Sequence, residues 1–365
     1  MGLSLHAPRL IGPPLPVEPP QRLALIKPSA LGDVVHTLPV LTALRLLYPQ
    51  AHITWIVHRA YAPLLAGHPH LDAVLPFDRS AFREKSLLGL ARYLWEWGWQ
   101  LRRQRFDWVI DLQGLLRSGL MAWGSGAAVR MGLQSAREGS VLAYTHRLAI
   151  PQEGRLHAVD RYWQLIVALG GGDLPRRFVL PVDVSAQEAA WQLWQSLPRP
   201  WVAVAPGARW RTKRWPPLAF AQLLERLQRH TGAGCLIVGS AEDTPLAQQI
   251  ATAVPGAVRC LTGQTSLPLL VALLRLCDVF VGNDSGPLHL AAALERPCLA
   301  PYTCTLPQRH GPYTFPQGAV AATLPCAGSY RKHCNHLRCH QTLTVEHLWT
   351  RLLELFPRLC RSPAA

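Results

Sequence analysis

Short apolar runs alternate with longer stretches of helical period along most of this chain. Residues 23–26 form a continuous apolar run, residues 35–47 are leucine-rich, residues 53–57 are apolar again, residues 87–103 carry a helical stripe, and residues 108–111 return to an apolar run. Such runs bounded by turn residues predict buried strands, and the periodic stretches predict helices between them. The pattern then starts again: strand 201–205, helix 217–230, strand 235–238, helix 244–253, strand 258–261, helix 267–276, strand 279–281, helix 287–294 and strand 298–301. Two doubly wound α/β domains in tandem are predicted, over residues 22–185 and 186–345, with the boundary in the proline-containing polar stretch 175–200. A final helical segment, 346–365, is expected to pack back on the N-terminal domain. A cleft between the two domains, faced by the carboxyl ends of both sheets, is the expected ligand site.

Composition narrows the class. Lys and Arg number 37 against 22 Asp and Glu, a net charge of +15. That balance points to an anionic partner: nucleic acid, a phosphorylated substrate or an acidic membrane. The charge and 13 tryptophans leave a nucleic-acid-binding protein as one reading. Against it, the chain has no RNP-like aromatic motif, KH loop or recognisable helix-turn-helix. No uncharged apolar run reaches the roughly 18 residues needed to span a bilayer. Residues 1–21 hold Pro8, Pro13, Pro14, Pro16, Pro19 and Pro20, which break any signal-peptide core and predict a disordered tail on a cytoplasmic protein. The nine cysteines therefore read as reduced thiols.

Candidate chemistry collects in a few stretches. "KPSALGDVVHTLP", residues 27–39, joins a strand to a helix with Gly32 alone where a dinucleotide fingerprint needs three glycines. Asp33 at this turn has two open uses, a helix cap or a chemical role. "VFVGNDSGPLHLAAALERP", residues 279–297, ends a strand in a tight polar turn, and Pro287 suits the first turn of the next helix. Ser285 and Gly286 stand where free backbone N–H groups can hold phosphate oxygens; a plain polar turn is the other reading. Arg209, Arg211, Lys213 and Arg214 lie in the loop after strand 201–205, at the same sheet edge, where a cation neutralises a diphosphate or simply faces solvent. No Asp-x-Asp pair occurs in the chain, which favours cation plus helix N-terminus over a bridging metal. On the helix at 87–105, Leu87, Leu90, Leu94 and Leu101 make a stripe widened by Trp95, Trp97, Trp99 and four arginines; packing on the sheet and lying at a membrane interface are both open. The cysteines and histidines of "CAGSYRKHCNHLRCH", residues 326–340, fit no common zinc module.

Taken together, "IKPSALGDVVHTLP", "FDWVIDLQGLLRSGL", "SAREGSVLAYTHR", "HAVDRYWQL", "PGARWRTKRWP" and "GNDSGPLHLAAA" resemble the ordered motifs of glycosyltransferase family 9, and within it most closely the lipopolysaccharide heptosyltransferase I group. The resemblance implies a GT-B fold of two facing Rossmann-like domains, and an inverting, metal-independent transfer of heptose from ADP-heptose to the Kdo-bearing inner core of lipopolysaccharide. No cofactor is implied. Asp33 resembles the general base, and Lys213 the diphosphate-binding lysine. On the donor side Asp284, Ser285, Gly286 and His289 match the family motif, Asp284 being better suited to a sugar hydroxyl than to phosphate, while Arg209 and Glu242 (or the adjacent Asp243) are weaker donor-side candidates. Arg79, Arg117, Arg137 and Arg161 fall to the anionic acceptor. The net basic charge and the tryptophan-and-arginine surface of residues 95–105 point to peripheral contact with the cytoplasmic face of the inner membrane. Arg209, Trp210 and Leu306 depart from residues common in the family, so another nucleotide sugar stays open as donor.

Overall fold

A computed structural model describes residues 7–78, 81 and 86–357. The chain divides into two compact units after Pro181.

The first unit is built on a sheet whose strands, among the described residues, are β1 (Arg9–Ile11), β2 (Arg22–Ile26), β3 (His52–His58), β4 (Ala73–Phe77), β5 (Trp108–Asp111), β6 (Val129–Leu133) and β7 (His146–Ala149), in the order β1-β7-β6-β5-β2-β3-β4. Every pairing is parallel except β1 with β7. Central strand β2 is buried from Leu23 to Ile26, as a parallel strand covered on both faces must be, which explains its unbroken apolar run. Ile26 pairs with both Ile56 and Asp111, so the loops leaving β2 and β5 emerge side by side.

Helix α1 (Leu31–Leu47) follows β2 and is buried from Val34 to Leu44, packing against α4 (Ala158–Ala168). It begins four residues earlier than its apolar pattern indicates. Between them lie α2 (Leu87–Arg103) and α3 (Leu116–Gly124). Helix α2 buries Trp97 and Leu101, with the Trp97 ring 5.1 Å from Phe77, and leaves Trp95 and Trp99 exposed. Packing on the sheet and a bare aromatic face thus coexist on one helix.

The expected disordered tail is corrected for its described part. Leu10 pairs antiparallel with Leu148, the Pro13 carbonyl meets His146 Nε2 at 2.9 Å, and the Gln21 amide donates to Asp107 at 2.8 Å. Proline density removes donors, but an edge strand needs partners on one side only. Residues 1–6 lie outside the described residues.

The second unit repeats the scheme. After α5 (Val184–Gln195) come β8 (Trp201–Ala205), α6 (Pro217–Thr231), β9 (Gly234–Ile237), α7 (Thr244–Ala253), β10 (Val258–Cys260), α8 (Leu267–Leu276), β11 (Val279–Gly282), α9 (Gly286–Ala293), β12 (Cys298–Tyr302) and β13 (Ala319–Ala321). The strands form a parallel sheet in the order β10-β9-β8-β11-β12-β13. Gly282 pairs with Ala205, which brings the loop after β8 beside the turn after β11. Helix α10 (Val345–Leu355) corrects the expectation for the C-terminal segment: Leu348, Trp349 and Leu352 enter the core of this second unit with Leu227 and Trp215. Its amphipathic stripe matches the apolar patch left by α6, and Trp215 Nε1 donates to the Leu343 carbonyl just ahead of it.

Candidate active site

In the first unit, the β2–α1 connection leads into Asp33 in the opening turn of α1. Ala30 occupies the cap position and has no side chain able to accept a hydrogen bond, so Asp33 reaches back and Oδ2 accepts the Ala30 amide at 3.0 Å. A carboxylate there also suits the helix dipole. The capping role is real, and it uses one oxygen. Oδ1 accepts the Tyr162 hydroxyl from α4 at 3.2 Å. That phenol oxygen in turn accepts from Lys27 Nζ at 2.7 Å and from Arg161 at 3.0 Å. Lys27 is buried and also donates to the Leu112 carbonyl at 2.8 Å. Two cations on one hydroxyl polarise it toward donation, so Asp33 is both oriented and kept next to positive charge. Burial works against the charge on Arg161, but Tyr162, Glu153 and Asp33 outweigh it and hold its pKa above the ordinary arginine value. It remains a fixed cation beside the carboxylate.

The neighbouring β5–α3 loop supports this turn. Asp111, fully buried, accepts the Gln113 amide at 2.8 Å and the Gly114 amide at 3.2 Å, and takes the Tyr144 hydroxyl at 2.7 Å. Burial raises its pKa against the pull of these donors. Gln113 Oε1 then accepts the Ser29 amide at 3.2 Å, tying the loop to the entrance of α1.

In the second unit, Lys213 Nζ meets Asp284 Oδ2 at 2.7 Å, His289 Nε2 lies 3.3 Å from Asp284 Oδ1, and Thr305 Oγ1 donates to Oδ2 at 2.7 Å. Burial opposes the Asp284 charge, yet the His289 contact and the Lys213 ammonium outweigh it and hold its pKa well below the carboxylate range. Asp284 therefore faces these three groups. A buried carboxylate takes the nearest cation and donors because leaving them unpaired costs more. Ser285 and Gly286 open α9, and Ser285 Oγ is buried with no hydrogen-bond partner among the described residues.

The loop bearing Lys213 is strapped from several sides. Asn283, fully buried, donates to the Pro206 carbonyl at 2.7 Å and accepts the Trp215 amide at 3.0 Å. Thr212 donates to the Arg331 carbonyl at 2.7 Å, and Arg214 to the Ala208 carbonyl at 2.7 Å. Arg209 and Glu242 are exposed. Asp243, beside Glu242, accepts from the Ser240 amide and hydroxyl and packs against Gly207. A fixed lysine beside a helix N-terminus can hold an anion before any substrate arrives.

Of the expected acceptor arginines, the structure brings Arg161 to Asp33; Arg117 and Arg137 are exposed on α3 and on the loop before residues 140–143. Arg79 lies outside the described residues. Lys27, Tyr162, Asn283 and Thr305 were not among the expected site residues. A lysine closing an apolar run and an asparagine directly after a buried strand are the two signals that could have found a pair of them. Among the described residues, no group of three or more His, Cys, Asp or Glu side chains is placed to hold a metal, and no helix is long and apolar enough to cross a membrane.

Comparison with known proteins bears on both groups of residues. Lipopolysaccharide heptosyltransferase 1 of Pseudomonas aeruginosa is 30% identical over 327 residues, covering 86% of this chain and 88% of that protein. Lipopolysaccharide heptosyltransferase 2 of Escherichia coli K12 is 29% identical, over 85% of this chain and 90% of its own length. The structure of E. coli ADP-heptose lps heptosyltransferase II is similar with a TM-score of 0.73 at 26% identity, covering 92% of this chain and 99% of that one. Tandem doubly wound units with this likeness make the molecule a glycosyltransferase of the GT-B class. The description "Glycosyltransferase family 9 (heptosyltransferase)" matches residues 94–340, and the chain belongs to that family.

Proposed function

We propose that the protein moves heptose from ADP-heptose to the Kdo-bearing inner core of lipopolysaccharide, inverting the anomeric centre without a metal ion. One observation carries the reading: Lys213, fixed by buried Asp284, stands in the loop beside the opening of α9, where an ammonium and free backbone N–H groups together match a diphosphate. The named relatives, both lipopolysaccharide heptosyltransferases, and the similar structure, an ADP-heptose lps heptosyltransferase, support the sugar and the acceptor class.

In the reaction, Asp33 takes the proton of the acceptor hydroxyl as its oxygen attacks the anomeric carbon. The bond from that carbon to the β-phosphate oxygen breaks, and ADP leaves with its charge met by Lys213, the first amides of α9 and the open Ser285 hydroxyl. Attack opposite the leaving group inverts the centre. Arg161, Arg117 and Arg137 suit the carboxylates and phosphates of the acceptor, with Arg209 and Glu242 flanking the donor side. Exposed Trp95 and Trp99 and the net charge of +15 support peripheral attachment to the cytoplasmic face of the inner membrane.

The test is transfer by purified protein in EDTA, with ADP-heptose, UDP-sugars and GDP-sugars offered in parallel to a Kdo-bearing acceptor. Product of opposite anomeric configuration, formed from ADP-heptose alone, is expected. A requirement for Mg²⁺ or Mn²⁺, retained configuration, or preference for another nucleotide sugar would each overturn the corresponding part of the reading.

A further inference from the structure

The first unit contains an apolar slot of which the reaction above uses only the Arg117 edge. It has a volume of about 460 Å³ and lies between α2 and α3. Phe77, Trp97, Leu101, Leu120 and Met121 wall it, and Gly98 leaves one side without a side chain. Leu94, Trp97, Gly98 and Leu101 fall on one face of α2 by helical spacing, so the slot is a continuous groove along that helix. Its lining reaches the surface at Leu116 and Leu120, both at least half exposed. Exposed apolar side chains continuous with a cavity mark a ligand or interaction site.

Three observations identify the occupant. At roughly 30 Å³ for a water-sized group, a volume of about 460 Å³ matches a single alkyl chain of about fifteen carbons. One cation lines the slot, Arg117. The acid in its lining, Glu138, accepts the Leu116 amide at 3.2 Å. Finally, Gln113, bonded to the Asp33 loop through Ser29, stands three residues before Leu116, a reach of about 10 Å. The helix that walls the slot thus follows directly on the loop bonded to the Asp33 turn. We propose that the slot binds one acyl chain of the acceptor's own lipid anchor, a specificity site that rests on the acceptor class given under Proposed function.

Gly98→Leu is the variant that tests it. A Cβ at Gly98 meets nothing within 4 Å, and Leu is the better helix former, so the fold is kept while the side chain fills the groove. Each buried methylene is worth about fourfold in affinity, so the parent is expected to show a KM at least about tenfold lower for an acylated Kdo-bearing acceptor than for its deacylated form. Gly98→Leu should abolish that difference, leaving kcat and the deacylated KM unchanged. A readout independent of transfer is quenching of tryptophan fluorescence by 12-bromododecanoate, expected in the parent through Trp97 and lost in the variant. Equal KM values for the two acceptors in the parent, or equal quenching in parent and variant, would overturn the proposal. So would a variant that loses flotation with anionic phospholipid vesicles while its KM values stay parental, which assigns the slot to membrane lipid. Failure of transfer to both acceptors would instead strike the heptosyl reading, and the quenching result would still decide whether the slot takes an alkyl chain.

Discussion

Asp33→Asn separates two duties of one carboxylate. In the parent, one oxygen accepts the Ala30 amide at 3.0 Å and the other accepts the Tyr162 hydroxyl at 3.2 Å. An amide side chain has one oxygen. Turned toward Ala30, it caps the helix but sets its NH₂ against a phenol oxygen already receiving Lys27 and Arg161. Turned toward Tyr162, it sets the NH₂ against the Ala30 amide. One hydrogen bond is lost either way, at a cost of about 0.5–1.5 kcal/mol, with cap losses typically about 1 kcal/mol. General-base help is larger, about 10²- to 10⁴-fold in rate, or roughly 2.7–5.5 kcal/mol of barrier at about 1.36 kcal/mol per decade. Single-turnover transfer from saturating ADP-heptose, with ADP affinity and thermal unfolding measured beside it, reads both. Turnover should fall at least a hundredfold, ADP affinity should stay parental, and the melting temperature should drop by a few degrees. Transfer within about fivefold of the parent, with that same small drop in melting temperature, would show that Asp33 is a cap and nothing more.

Lys213→Ala should weaken ADP binding by about ten- to a hundredfold, the worth of one charge-assisted hydrogen bond, and unchanged affinity by calorimetry would remove it from the donor site. The same variant should destabilise the second unit, since Asp284 loses its ammonium while buried. Gly207→Ala places a methyl against the Asp243 carboxylate; a loss of about 1–3 kcal/mol is expected, and Asp243→Ala in the same chain should relieve part of it, which chemical denaturation of the four-member cycle would show. His68, buried, donates from Nε2 to the Val179 carbonyl and accepts the His70 amide on Nδ1, and burial lowers its pKa from 6.5 to about 4. The unfolded chain then binds the proton more readily between those values, so stability is full above pH 6.5 and falls by about 2 kcal/mol by pH 5; His68→Gln should flatten that part of the pH–stability curve.

What could be read from residues alone follows what is local. Strands β2, β8 and β11 are buried on both faces and appear as plain apolar runs. Strands β4, β6 and β7, reading AVLPF, VRMGL and HRLA, carry a proline, a glycine or charges and leave no such run. The start of α1 was hidden because its cap, Ala30, is not a capping residue. Lys213 and Asp284 were both legible as charges near a phosphate-binding turn, but their pairing spans 71 positions, and Tyr162 reaches Asp33 across 129. Periodicity carries no information about such partners. Only the sheet register, which sets neighbouring loops at one edge, brings them together.

The proline-rich segment before β2 has a colloidal consequence. An open sheet ends in a row of unpaired N–H and C=O groups that invites a second molecule to add its own strand. On the β7 side of the first sheet that row is covered by β1, and the exposed edge passes outward to Arg9–Ile11. The new edge is three residues long, with Pro8 before it and Pro13 and Pro14 just after it. Prolines supply no amide donors, so a growing ladder stops at either side. A run of residues that looks like unstructured leader thus acts as a gatekeeper against edge-to-edge aggregation, and trimming it would uncover the His146–Ala149 strand as a template for self-association.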